Sequence, residues 1–109
     1  MCIRDRAQLG RKAGLTVIAE AFADRSYESD GSLTPRSKPG AVISDAELAA
    51  AQALSIARDG RVTSRGGISI PVEAQTLCIH GDKPESVAFA TRVRRELRMA
   101  GIRIKRPGL

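Results

Sequence analysis

At 109 residues the chain has room for one small domain and not for two. An apolar fraction of 42% excludes general disorder, and no apolar run is long enough to cross a membrane. A net charge of +6 and a pI of about 10.2 admit a nucleic-acid or anionic-membrane partner, but an arginine-rich solvated surface is the better account of them.

With one tyrosine, two phenylalanines and no tryptophan, the core must come from Ala, Val, Leu and Ile. Such a core buries less area per residue than an aromatic one. Cys2 and Cys78 form neither a disulfide framework nor a zinc spacing, and Cys78, inside an apolar run, reads as a small core thiol. Without a signal peptide, the expected compartment is the cytoplasm.

The opening Met-Cys-Ile-Arg-Asp-Arg joins no hydrophobic period and no capping pattern. Residues 1–6 are therefore set aside as a non-native segment, which leaves 7–109 for the fold. Ala7 to Ala13 reads as the end of a helix stopped by Gly14 at a left-handed position. Leu15 to Phe22, rich in β-branched residues, reads as a buried strand with Glu20 near its end. Asp24 to Gly40 is a long polar loop between confident elements, which marks it as functional.

Ser44-Asp45-Ala46-Glu47 has the form of a capping box, with Ser44 accepting from the Glu47 amide. The helix it opens should run to about Arg58, stop at Gly60, and turn Leu48, Gln52, Ile56 and the intervening alanines inward. Arg61 to Ser64 and Ile68 to Val72, either side of Gly66-Gly67, form a hairpin. Thr76 to Ile79 is a short strand buried on both faces, ending in His80-Gly81-Asp82. Asp82 and Glu85 suggest a second capping box, opening a helix to about Met99 whose buried stripe is Phe89, Val93 and Leu97. Ile102 and Ile104 form a last strand, completing a βαβ unit with a parallel sheet.

Parallel α/β folds bind ligands at the carboxyl ends of their strands. That rule selects Glu20 through Arg36 and His80-Gly81-Asp82. His80, the sole histidine, could move protons or ligate a metal, with Asp82 orienting it. Both could equally be strand and helix caps. Arg25 and Arg36 could each fork onto a carboxylate or phosphate, or pair with Asp24, Glu28 or Asp30. Tyr27 could donate into a site or simply pack the loop. Arg92, Arg94, Arg95 and Arg98 spread around the outer side of their helix without interleaved aromatics, which reads as a solvated face and not a nucleic-acid platform. One histidine and scattered carboxylates make no metal set, and there is no Gly-rich ATP loop.

Several strings recur in a known order: Glu20-Ala-Phe-Ala-Asp-Arg-Ser-Tyr, Asp30-Gly-Ser-Leu-Thr-Pro-Arg-Ser, Gly40-Ala-Val-Ile, Gly60-Arg-Val, Ala74-Gln-Thr-Leu-Cys-Ile-His-Gly-Asp, and a closing helix with Phe89-Ala. From about Ala7 to Ile104 the chain resembles the C-terminal part of the LamB/YcsF family, the 5-oxoprolinase A subunits. The resemblance implies an α/β fold, the C-terminal part of a distorted (β/α) barrel related to sugar hydrolase and deacetylase barrels and incomplete in this chain. It implies ATP-dependent opening of 5-oxoproline to L-glutamate with separate B and C subunits. By matching motif it places His80, Asp82 and Glu20 in catalysis, and Asp24, Arg25, Tyr27, Arg36 and Ser37 at the substrate.

The family's acidic Asp-Leu-Asn type strand and its further His motifs, upstream of this match, do not occur here. The expectation is therefore a truncated piece, inactive or poorly soluble alone. Two other readings stay open: a small basic α/β module binding nucleic acid or protein, and a barrel hydrolase for another cyclic amide or an acylated sugar.

Overall fold

The computed structural model describes residues 3–81 and 84–105. Helix α1 (Ile3–Lys12) begins inside the segment set aside above. It ends as expected: Gly14, at φ 82°, donates to the Arg11 carbonyl while Leu15 donates to Gly10. Only a residue free of a Cβ penalty reverses a helix end in this way at no cost.

Strand β1 (Glu20–Phe22) is shorter than the apolar run that predicts it. Residues 15–18 have no described strand beside them, and Leu15 and Ile18 are exposed. Pairing starts at Ala19, whose carbonyl takes the amides of Gln75 and Thr76 and whose amide donates to the Gln75 side chain. β1 then runs parallel to β4 (Thr76–Cys78), with Glu20, Ala21 and Phe22 opposite Thr76, Leu77 and Cys78. The parallel sheet is thus present, but β4 is half-buried and not buried on both faces.

Between these strands lie α2 (Ala46–Asp59) and the antiparallel hairpin β2 (Arg61–Thr63) and β3 (Ser69–Pro71). Gly60, at φ 66°, stops α2 as its position predicts. The start differs. Asp45, not Ser44, is the cap, and its carboxylate accepts from the Glu47 and Leu48 amides. A carboxylate is the stronger acceptor and complements the positive end of the helix. The buried face is Ala49, Ala50, Ala53 and Ile56, whereas Leu48 points outward at 61% exposure.

Helix α3 (Ser86–Met99) begins after Pro84 and Glu85, not at a cap on Asp82. Asp82 itself lies outside the described residues. The residue before a proline is disfavoured in helical geometry, so a helix opened at Asp82 would have met that restriction at once. Glu85 stands at the cap position without a side-chain bond. The predicted stripe of Phe89, Val93 and Leu97 is buried. Past Gly101, at φ 80°, no strand forms over Ile102 to Ile104: the Ile102 amide is used on the Leu97 carbonyl, and Ile104 is exposed.

Two apolar clusters result. Ala21, Tyr27, Ile56, Val62 and Ile70 join β1, the loop, α2 and the hairpin. Ala23, Ala50, Ala53, Val93 and Leu97 join the end of β1 to the α2–α3 contact. Alanines on one helix facing Val and Leu on the other let the two axes approach closely. The architecture is mixed α/β, with parallel strands joined by a helical crossover, as in part of a barrel wall.

Candidate functional site

Because β1 and β4 are parallel and in register, their carboxyl ends lie side by side. Two residues beyond each strand stand Asp24 and His80. Asp24 is buried at 4% exposure, and its carboxylate is wholly engaged with His80. Oδ2 accepts from the His80 amide at 3.1 Å, and Nδ1 of the imidazole lies 2.9 Å from Oδ1 and 3.0 Å from Oδ2. The imidazole stacks on Phe22, with centroids 5.9 Å apart and planes 13° from parallel. The Ser86 hydroxyl at the start of α3 donates to the His80 carbonyl. The histidine is therefore held from β1, from its own backbone and from α3, with its side chain still 27% exposed.

Gln52, placed on the apolar face by sequence periodicity, has a different task. From mid-α2 its amide donates to the carbonyls of Phe22 at 2.9 Å and Arg25 at 2.7 Å, with a longer contact to Ala23. These are the carbonyls left unpaired where the chain swings out of β1 towards Asp24. The signal available in the sequence was a long polar side chain inside an alanine-rich inward face, since a buried amide needs partners.

The loop after Asp24 is a folded structure. Arg25 is buried and pairs with none of the nearby acids. Its guanidinium donates to the Thr34 carbonyl at 2.8 Å and the Ala41 carbonyl at 3.3 Å, buckling the loop across its base. Short antiparallel bridges join Arg25 to Val42 and Tyr27 to Leu33. Asp30 turns the tip by accepting from the Ser32 amide and hydroxyl. Tyr27 is buried, and its phenol oxygen accepts from the Phe22 amide at 3.0 Å. Burial pushes its hydroxyl pKa above the ordinary 10.0. Burial, reinforced by the charges of Glu20 and Asp24, likewise pushes the Cys78 thiol up.

The remaining candidates are not gathered at this point. Glu20, expected near the end of its strand, is instead the first residue of β1, at the other end of the strand from the side where Asp24 follows. Arg36 and Ser37 are exposed in a turn, and no hydrogen bond or ion pair joins them to Asp24 or His80. Arg92 is tied to Glu96 and Glu47 on the α3 surface. Among the described residues there is no grouping of three or more His, Cys, Asp and Glu side chains that could hold a metal ion, and no helix is long and apolar enough to cross a membrane. A buried carboxylate that clamps a partly exposed imidazole at the end of parallel strands can orient a proton donor or acceptor towards a bound molecule.

Comparison with known proteins gives the family of the chain. The family model for the LamB/YcsF family matches residues 2–108. A protein from Methylococcus capsulatus, named as the A subunit of 5-oxoprolinase, is 52% identical over 93 residues, which is 85% of this chain and 36% of the relative. Another of that name, from Shouchella clausii, is 48% identical over 96 residues, 88% of this chain and 38% of the relative. The crystal structure of a lactam utilization protein from Thermus thermophilus superposes with a TM-score of 0.84 at 43% identity, covering 90% of this chain and 38% of that one. The chain thus spans about two fifths of the length of these relatives. With the family model spanning nearly every residue and the fold shared with the Thermus protein, the chain belongs to the LamB/YcsF family.

Proposed function

We propose that this chain forms part of the site of a 5-oxoprolinase A subunit, which works with B and C subunits in the cytoplasm. The reaction is the ATP-dependent hydrolytic opening of 5-oxoproline to L-glutamate. The observation that carries the reading is the Asp24–His80 pair at the strand ends. The names of the relatives, 5-oxoprolinase for two of them and lactam utilization for the Thermus protein, support the substrate class.

Opening a lactam requires an oxygen nucleophile on the ring carbonyl carbon, cleavage of the C–N bond, and a proton for the departing nitrogen. An imidazole can take the proton from water and return it to nitrogen. His80 is assigned that proton, with Asp82, where the motif places it, as its neighbour. Arg36 and Ser37, on the exposed turn, are assigned to the substrate carboxylate. ATP in this reaction supplies activation of the amide oxygen. The described residues do not suit a nucleotide: there is no Gly-rich phosphate loop, and the first amides of α2 already serve the Asp45 carboxylate. In this reading ATP is held elsewhere in the complex.

The test is glutamate release from 5-oxoproline and ATP by the complete A subunit carrying this sequence, mixed with its B and C subunits. His80→Gln is expected to lower turnover on the order of 10²–10⁴-fold, the usual contribution of a positioned acid–base group. Unchanged turnover overturns the reading. Faster turnover of another cyclic amide than of 5-oxoproline would keep the chemistry and replace the substrate.

A further inference from the structure

Family resemblance places Asp24 at the substrate, yet both of its carboxylate oxygens are within hydrogen-bond distance of His80 Nδ1, and one also takes the His80 amide. We propose that Asp24 is a positioning residue that holds neutral His80 as its Nδ1–H tautomer, leaving Nε2 as the atom that accepts or returns a proton. The proposal rests on the role given to His80 above.

A carboxylate only accepts. The backbone N–H of His80 directs its hydrogen at Oδ2, so the ring nitrogen that faces the same carboxylate must also bring a hydrogen. An imidazole that donates through Nδ1 has its lone pair on Nε2 when neutral. Nε2 has no hydrogen-bond partner among the described residues, and the His80 side chain keeps 27% of its surface exposed, which gives that lone pair access to a ligand or water. Stacking on Phe22 and the Ser86 bond to the His80 carbonyl fix the ring plane and the backbone that carries it. The burial of Asp24 keeps water from competing for its oxygens and strengthens the tie.

His80 is the sole histidine, so its ring nitrogens can be read without overlap in the full chain. With ¹⁵N-labelled histidine, at a pH where the imidazole is neutral, the wild type is expected to show a protonated Nδ1 and a bare Nε2. The opposite pattern, or an even mixture of tautomers, overturns the proposal without recourse to any variant.

Asp24→Asn keeps the shape and an acceptor for the His80 amide but puts an N–H donor about 2.9 Å from Nδ1, where Oδ1 stood. The tautomer population is then expected to move to Nε2–H. In the complete A subunit with B and C, the same variant should lose kcat on the order of 10²–10⁴-fold with KM little changed. A raised KM at unchanged kcat would return Asp24 to substrate binding. The tautomer does not depend on which substrate is turned over. A wild-type Nδ1–H signal alongside a fully active His80→Gln enzyme would retire the functional reading and leave the positioning intact. The reverse pair of results would retire the positioning alone.

Discussion

Tyr27 is the residue where side-chain burial and backbone accounting meet. Its ring fills the cluster of Ala21, Ile56, Val62 and Ile70, and its oxygen takes the Phe22 amide, at the end of β1 that leads to the site. Tyr27→Phe keeps the ring and orphans that amide, so it should cost about 1–3 kcal/mol in denaturant-unfolding stability. Tyr27 also gives the fold an alkaline limit. A pKa raised by burial means that the folded state holds its phenol proton more tightly than the unfolded chain. That contribution is fully present below pH 10.0 and is lost as pH rises from there through the folded value. Since Tyr27 is the sole tyrosine, phenolate absorbance reports it alone. Titration with an ordinary, unshifted midpoint in the folded protein would contradict its burial.

At the scale of elements, α2 carries both the alanine face against α3 and the amide that holds the β1 exit. Its cap separates two readings of the same four residues. Asp45→Ala should cost about 1 kcal/mol, and Ser44→Ala close to nothing, in parallel melts. Its faces separate two others. Ala53, fully buried between the helices, should not accept a larger side chain: Ala53→Leu is expected to lose about 1–3 kcal/mol by overpacking. Leu48→Ala, on the exposed side, should stay within about 0.5 kcal/mol. Equal losses at both positions would mean that α2 is rotated about its axis from the orientation described. The stops of these helices were legible where glycine at positive φ ends them, because no other residue type adopts that conformation so cheaply. The start of α3 was not: the helix opens at Ser86, with Glu85 at the cap position and without a side-chain bond.

At the scale of the molecule, the described residues form two sheets of two strands each, so β1 and β4 have one neighbour apiece among the described strands. Leu15 and Ile18 before β1, and Met99 and Ile104 at the far end of α3, stand in solvent. Unpaired strand edges beside exposed apolar side chains favour association. The 109-residue chain is therefore expected to self-associate as its concentration rises, with sedimentation velocity as the check. A monodisperse monomer across the micromolar range would show that these edges are protected. The same sheet edge explains why the sequence overestimated its strands: the runs 15–22 and 102–104 have strand composition, but a strand exists only where another supplies its hydrogen bonds.

Composition and spacing alone determined the mixed α/β class, the hairpin around Gly66-Gly67, the Phe89, Val93 and Leu97 stripe, and the glycine stops of α1 and α2. Each of these depends on local conformational preference or on the period of one element, and both are written in adjacent residues. The pairing of Asp24 with His80, the clasp of Arg25 across its loop and the reach of Gln52 to the end of β1 were decided only by tertiary structure. They join residues from 9 to 56 positions apart, and which polar group meets which depends on the register of β1 on β4 and on the face that α2 turns inward.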